Sequence, residues 1–277
     1  MTHKAAKRAG FWLLLLALAI PSLARCSGSG RNVVESRQAD NETPKPAPSG
    51  ATVSRQVLRI QQASFPIILD PQKSVRTNEG SVLGLNYEGL THLDKDLKTV
   101  PAAAESWDFD QAQTQITFHL RAGLTYSDGS PLTAENFRYA IERACDSNTA
   151  GGYQAILFDI TGCQAFAKTN PTDSAAFAAA RAALGVKAPD ARTLVIQLTH
   201  PASYFVTIAS LPVFFPVQEA LIKKGGEGWW KDPADQVGNG PFKITRIDPD
   251  QRITLAANDH YWAGKPKLAG IELITLE

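Results

Sequence analysis

The residues that could do chemistry are few and poorly grouped. Ser127 and Asp128 share the run Ser127-Asp128-Gly129-Ser130-Pro131, whose composition is that of a chain reversal. A hydrolase of the α/β type presents its serine on a strand-to-helix elbow, GxSxG, and none occurs. His119 alternates with Phe118 and Leu120, which places it on a solvated strand face rather than where a general base would work. His260 lies in Asn258-Asp259-His260-Tyr261-Trp262, and its aromatic neighbours mark it as packed and hydrogen-bonded. Gly238-Asn239-Gly240-Pro241 lacks the Lys and Ser/Thr of a phosphate loop and reads as a tight turn into a strand at Phe242. Glu88, Asp94, Asp108 and Asp110 fall on turns and strand ends, as solvated carboxylates do. The five histidines are scattered, with no pair at metal-ligand spacing. These residues supply no nucleophile–base pair and imply no metal or cofactor, so a protein that is not an enzyme is expected.

The most legible elements lie between Ile116 and Asp146. Ile116, Phe118 and Leu120 face one way and Thr117, His119 and Arg121 the other, which predicts a half-buried strand. Thr133 is placed to cap a helix with Glu135 in its first turn. Phe137, Ala140, Ile141, Ala144 and Cys145 then recur at helical spacing as one buried stripe. Upstream, Val57 to Gln61 reads as a strand, Val82 to Leu90 as a short helix, and Ala102 to Ala104 as a turn of helix near Trp107. Downstream, Ser174 to Leu184 reads as a helix capped by Ser174 and stopped by Gly185. Leu194 to Leu198 reads as a strand and Tyr204 to Leu211 as helical. Phe242 to Ala257 forms a hairpin turning at Asp248-Pro249-Asp250, and Ile271 to Leu276 a last strand. Helices mixed with non-adjacent strands predict a mixed α/β (α+β) fold.

The 277 residues carry 28 basic and 27 acidic side chains, a balance that offers no electrostatic case for nucleic acid or an anionic membrane. Lys4, Lys7 and Arg8 precede an apolar run from Phe11 to Ile20, so 1–25 reads as a secretory signal peptide. Leu23-Ala24-Arg25-Cys26 resembles a lipobox, which would acylate Cys26 and anchor the chain to lipid, although Arg25 departs from the small residue usual there. Ordinary cleavage after Ala24 is the alternative. Residues 26–53 are too poor in apolar side chains to bury a core and read as a flexible tether. In that oxidising setting Cys145 and Cys163 make an even pair, expected as a disulfide. A redox pair or metal site lacks CxxC spacing or nearby ligands, and two buried free thiols remain the plain alternative.

The stretch FHLRAGLTYSDGSPLTAENFRYAIERA resembles the signature of family 5 extracellular solute-binding proteins, the oligopeptide- and dipeptide-binding components of ABC importers. SFPIILDPQK, LNYEGLTHLD, VPAAAESWDF, VGNGPFKI and NDHYWAGKPKLAGIELI match further landmarks in order, from about Ser64 to Leu276. The resemblance implies a periplasmic-binding-protein-like fold of class II, two lobes closing over a ligand with a subdomain beside the first. It would assign 54–92 and 212–277 to lobe I and 93–211 to the adjoining subdomain. The second lobe is then absent from this chain, which stops at Glu277 within lobe I, and the half-cleft is expected to bind peptide weakly or not at all.

The resemblance also implies a site. Peptide-binding members pair the ligand main chain with an extended segment after LDP, which falls on Val75, Arg76 and Thr77. The tyrosine of the relatives' SPY segment matches Tyr153, here preceded by Gly151-Gly152, with core packing as its plain reading. A peptide ligand, ABC permease subunits and a monomeric, extracytoplasmic protein follow as expectations. Nickel, sugar or opine ligands stay open, as does an interaction role for a truncated binding fold.

Overall fold

The computed structural model describes residues 56–275, all within one unit, Thr52–Glu277. The expected signal peptide, Cys26 and the tether lie outside the described residues. The chain opens with β1 (Val57–Gln62) and α1 (Thr77–Asn86), followed by a hairpin of β2 (Thr91–Leu93) and β3 (Thr99–Pro101). β4 (Ala104–Phe109) and β5 (Gln115–Leu120) lead to α2 (Ala134–Cys145), α3 (Cys163–Lys168) and α4 (Ser174–Ala182). β6 (Val186–Lys187) and β7 (Thr193–Gln197) precede α5 (Phe205–Ile208) and α6 (Glu219–Gly225). The hairpin β8 (Phe242–Asp248) and β9 (Arg252–Ala257) and the strand β10 (Gly270–Thr275) close the described chain.

Two four-stranded sheets carry the fold. One runs β1-β10-β9-β8, with β1 parallel to β10 and the other pairs antiparallel. The other runs β4-β5-β7-β6, antiparallel throughout. The alternation read from β5 is realised: Ile116, Phe118 and Leu120 are fully buried, and Phe137, Ile141, Ala144 and Cys145 of the α2 stripe pack with them into the larger core. That stripe ends at a disulfide between Cys145 and Cys163, both fully buried. A second core lies under the β8–β10 sheet around Leu69, Val82 and Leu255. Leu83, Tyr87, Ala140, Phe215, Val217 and Trp229 form a third cluster where α1 meets α2.

Several local expectations are corrected. The first helix runs over Thr77–Asn86, not from Val82, because Glu79 supplies a start signal through its side chain. Ala102 to Ala104 are not helical: their amides donate to Leu90 and Gly89 carbonyls, which places them in a close backbone crossing. The cap of α4 is Asp173, whose Oδ1 accepts from the Ala176 amide at 3.0 Å, rather than Ser174. His260 is exposed rather than packed, and Glu88 is not a solvated carboxylate.

Candidate ligand groove

The segment between Asp70 and α1 is held open by one buried carboxylate. Glu79, 1% exposed, accepts from the amides of Ile68, Val75 and Arg76 at 3.0 Å each and from the Ser74 hydroxyl at 3.1 Å. Four donors on one carboxylate fix the extended approach to the helix, and the bond from the Arg76 amide caps its start. Val75 and Arg76 are exposed and lie ahead of the helix, whereas Thr77 is its first residue. The Arg76 carbonyl accepts from the Gly80 amide at 2.9 Å. The amides of Val75 and Arg76 are therefore engaged inside the protein, and that segment offers a ligand its side chains more readily than a main-chain ladder.

Tyr153 meets this segment from the other side. Its ring is half-exposed, and its hydroxyl donates to the Val75 carbonyl at 3.2 Å. Gly151 and Gly152 permit that approach. A Cβ on Gly151 would stand 2.0 Å from the Gln72 carbonyl oxygen, and one on Gly152 would stand 2.3 Å from a Val75 methyl. The four residues singled out from the sequence, Val75, Arg76, Thr77 and Tyr153, are thus neighbours in space, and the glycine pair is what brings the ring in.

Arg76, Thr77 and Tyr153 border a groove of about 470 Å³, with Leu211, Pro212 and Val213 as its apolar wall. A second groove of similar size shares Gly80, Leu211 and Pro212 with the first and runs on to Glu88 and Tyr261. Gly80 and Gly84 face open space along α1. At the far end, the half-buried Glu88 accepts from the Tyr261 hydroxyl at 2.8 Å and from the Trp262 indole, while Arg121 stacks 3.7 Å over the Trp262 ring. Burial raises the Glu88 carboxyl above its ordinary value, outweighing the two hydrogen bonds that favour the anion.

The frame behind the groove is polar and buried. Asp70 is gripped by Arg143 of α2 and accepts from the Trp229 indole at 3.1 Å. Gln72 donates to the carbonyls of Val213 and Phe215 at 3.3 and 3.0 Å, tying the 72–77 segment to the apolar wall. The Gly238-Asn239-Gly240 stretch is a docking strap rather than a phosphate loop. Asn239 bonds the Glu88 amide and carbonyl at 2.9 and 3.0 Å, and a Cβ on Gly238 would lie 1.9 Å from the Asn86 carbonyl oxygen. Sequence reasoning missed Glu79, Arg143 and Asp70 as positioning residues. Their only local signals are a carboxylate in a first helical turn and the LDP motif itself.

Residues 98–277 match the family model for bacterial extracellular solute-binding proteins, family 5 (middle). The chain belongs to this family. Among curated family 5 relatives, the probable deoxycholate-binding periplasmic protein YgiS of Escherichia coli is 36% identical over 210 residues, 75% of this chain and 37% of its own. The periplasmic oligopeptide-binding protein OppA of the same organism is 36% identical over 220 residues, 78% of this chain and 38% of its own. Among solved structures, the substrate-binding domain of an oligopeptide ABC transporter from Bacillus anthracis superposes with a TM-score of 0.73 at 32% identity. It is matched over 80% of this chain and 41% of its own. Listeria monocytogenes OppA bound to peptide gives a TM-score of 0.71 at 28% identity, over 80% of this chain and 43% of its own. The chain therefore spans about two fifths of the length of these family 5 proteins, and its mixed α/β sheets are those of their periplasmic-binding fold.

Proposed function

We propose that this chain forms one wall of the ligand cleft in a peptide-capturing component of an ABC importer. The observation that carries the reading is the convergence of Arg76, Thr77 and Tyr153 on one groove with an apolar wall. Family membership and the peptide bound to Listeria OppA support it. In this reading the β1-β10-β9-β8 sheet belongs to lobe I, residues 93–211 to the adjoining subdomain, and the opposite wall to a second lobe. The protein binds rather than converts its ligand, acts outside the cytoplasmic membrane as a monomer, is tethered through Cys26, and hands its cargo to permease subunits.

A second reading shares the groove. Its Leu211, Pro212 and Val213 wall suits an amphipathic acid as well as a peptide, and one family 5 relative is named for probable deoxycholate binding. Saturation-transfer NMR on the protein with tetrapeptides tests the first reading. Transfer to peptide that falls about five- to tenfold in affinity with Tyr153→Ala is the expected result. Transfer to deoxycholate alone would replace it with the second.

A further inference from the structure

The groove bordered by Arg76 carries one formal charge. Its remaining lining is hydroxyl, glycine, the Tyr153 ring and the Leu211–Val213 wall. Nothing among the described residues neutralises that charge. Glu79, the nearest carboxylate in sequence, spends its oxygens on three amides and the Ser74 hydroxyl. Lys73, the other cation of the segment, is paired with Glu227 at 3.3 Å. Arg76 is exposed, and the apolar wall of Leu211, Pro212 and Val213 lines the same groove, so a ligand that reaches one meets the other. The Val75 and Arg76 amides are engaged elsewhere, which shifts discrimination from main chain to side chain at this point.

Building on the peptide reading above, we propose that Arg76 selects ligands that carry a carboxylate next to an apolar group, acidic peptides first among them. Guanidinium presents a planar pair of donors that matches a carboxylate, and an ammonium-bearing ligand meets repulsion at the same place. Deoxycholate offers the same chemistry on a steroid instead of a peptide, so the test separates the two carriers.

C-terminally amidated tetrapeptides of otherwise fixed sequence, with Glu, Gln or Lys at each position in turn, and deoxycholate are titrated against the protein and its Arg76→Gln and Arg76→Glu variants. The best Glu peptide is expected to bind about tenfold more tightly than its Gln counterpart. Arg76→Gln removes that difference and Arg76→Glu turns the preference toward Lys. Equal binding of Glu and Gln peptides by the unaltered protein overturns the selection while leaving peptide capture standing. Deoxycholate binding that Arg76→Gln abolishes, with no peptide bound, upholds carboxylate selection and overturns the peptide reading. Binding of neither class overturns both.

Discussion

Arg143 grips Asp70 through both terminal nitrogens, Nη1 to Oδ1 at 2.7 Å and Nη2 to Oδ2 at 2.5 Å, across 73 residues of chain. Asp70 is 1% exposed, and the guanidinium also donates to Gln72 Oε1 at 2.8 Å. Helix α2 is thereby fastened to the segment that leads into the groove.

Arg143→Leu removes that grip and leaves a buried carboxylate with only the Trp229 indole and the Gln72 amide. The expected loss is about 3–5 kcal/mol, read from urea denaturation, because an uncompensated buried charge costs far more than a surface pair is worth. A change below about 1 kcal/mol would show that the pair contributes position without stability.

The glycine pair gives a graded prediction. Gly151→Ala drives a methyl into the Gln72 backbone and is expected to cost about 1–3 kcal/mol. Gly152→Ala meets only the Val75 side chain, which is 43% exposed and can turn away, so its cost is smaller. Thermal denaturation of the two variants orders them, and the reverse order would place the strain elsewhere.

Reducing the Cys145–Cys163 bridge opens a loop of 18 residues that carries Tyr153 at its middle. In the chain-entropy model the loss is about 3 kcal/mol, seen as a lower denaturation midpoint in reductant. The Cys145→Ser/Cys163→Ser double variant should show the same loss and no response to reductant.

Glu88 sets a pH dependence whose sign follows from its raised pKa. A carboxyl that is harder to ionise folded than unfolded stabilises fully below its unfolded value and loses that contribution as pH climbs through the folded one. The stability of the protein relative to Glu88→Gln should therefore fall from the ordinary value of 4.5 upward. A relative stability that climbs over the same range would mean that the Tyr261 and Trp262 hydrogen bonds outweigh burial.

What could be read from the sequence was what repeats locally. The β5 alternation and the α2 stripe are periodic, and the β8–β9 hairpin announces its turn with Asp248-Pro249-Asp250. The start of α1 was hidden because its cap is Arg76, outside the usual capping residues, and Gly80 and Gly84 blur the helical pattern. For α4 two adjacent capping residues competed, and Asp173 had the better reach. Glu88 looked solvated because the aromatics that cover it come 173 and 174 residues later. The groove residues were found through likeness to a family, whereas Glu79 acts from a helix start that the sequence pattern blurs, and Arg143 acts on Asp70 across 73 residues, which no local window contains.

Among the described residues, strand β1 lies at the edge of its sheet and pairs with β10 alone, so that Arg59 meets Glu272 across 213 residues. This pairing waits until the 213 residues between them have closed into a loop, a slow step for so long a separation. For that interval Val57, Leu58 and Ile60 belong to an unmatched strand of high β propensity, a ready template for a neighbouring chain. The fold thus ties the fate of β1 to the arrival of β10, and how readily that long loop closes becomes a determinant of yield.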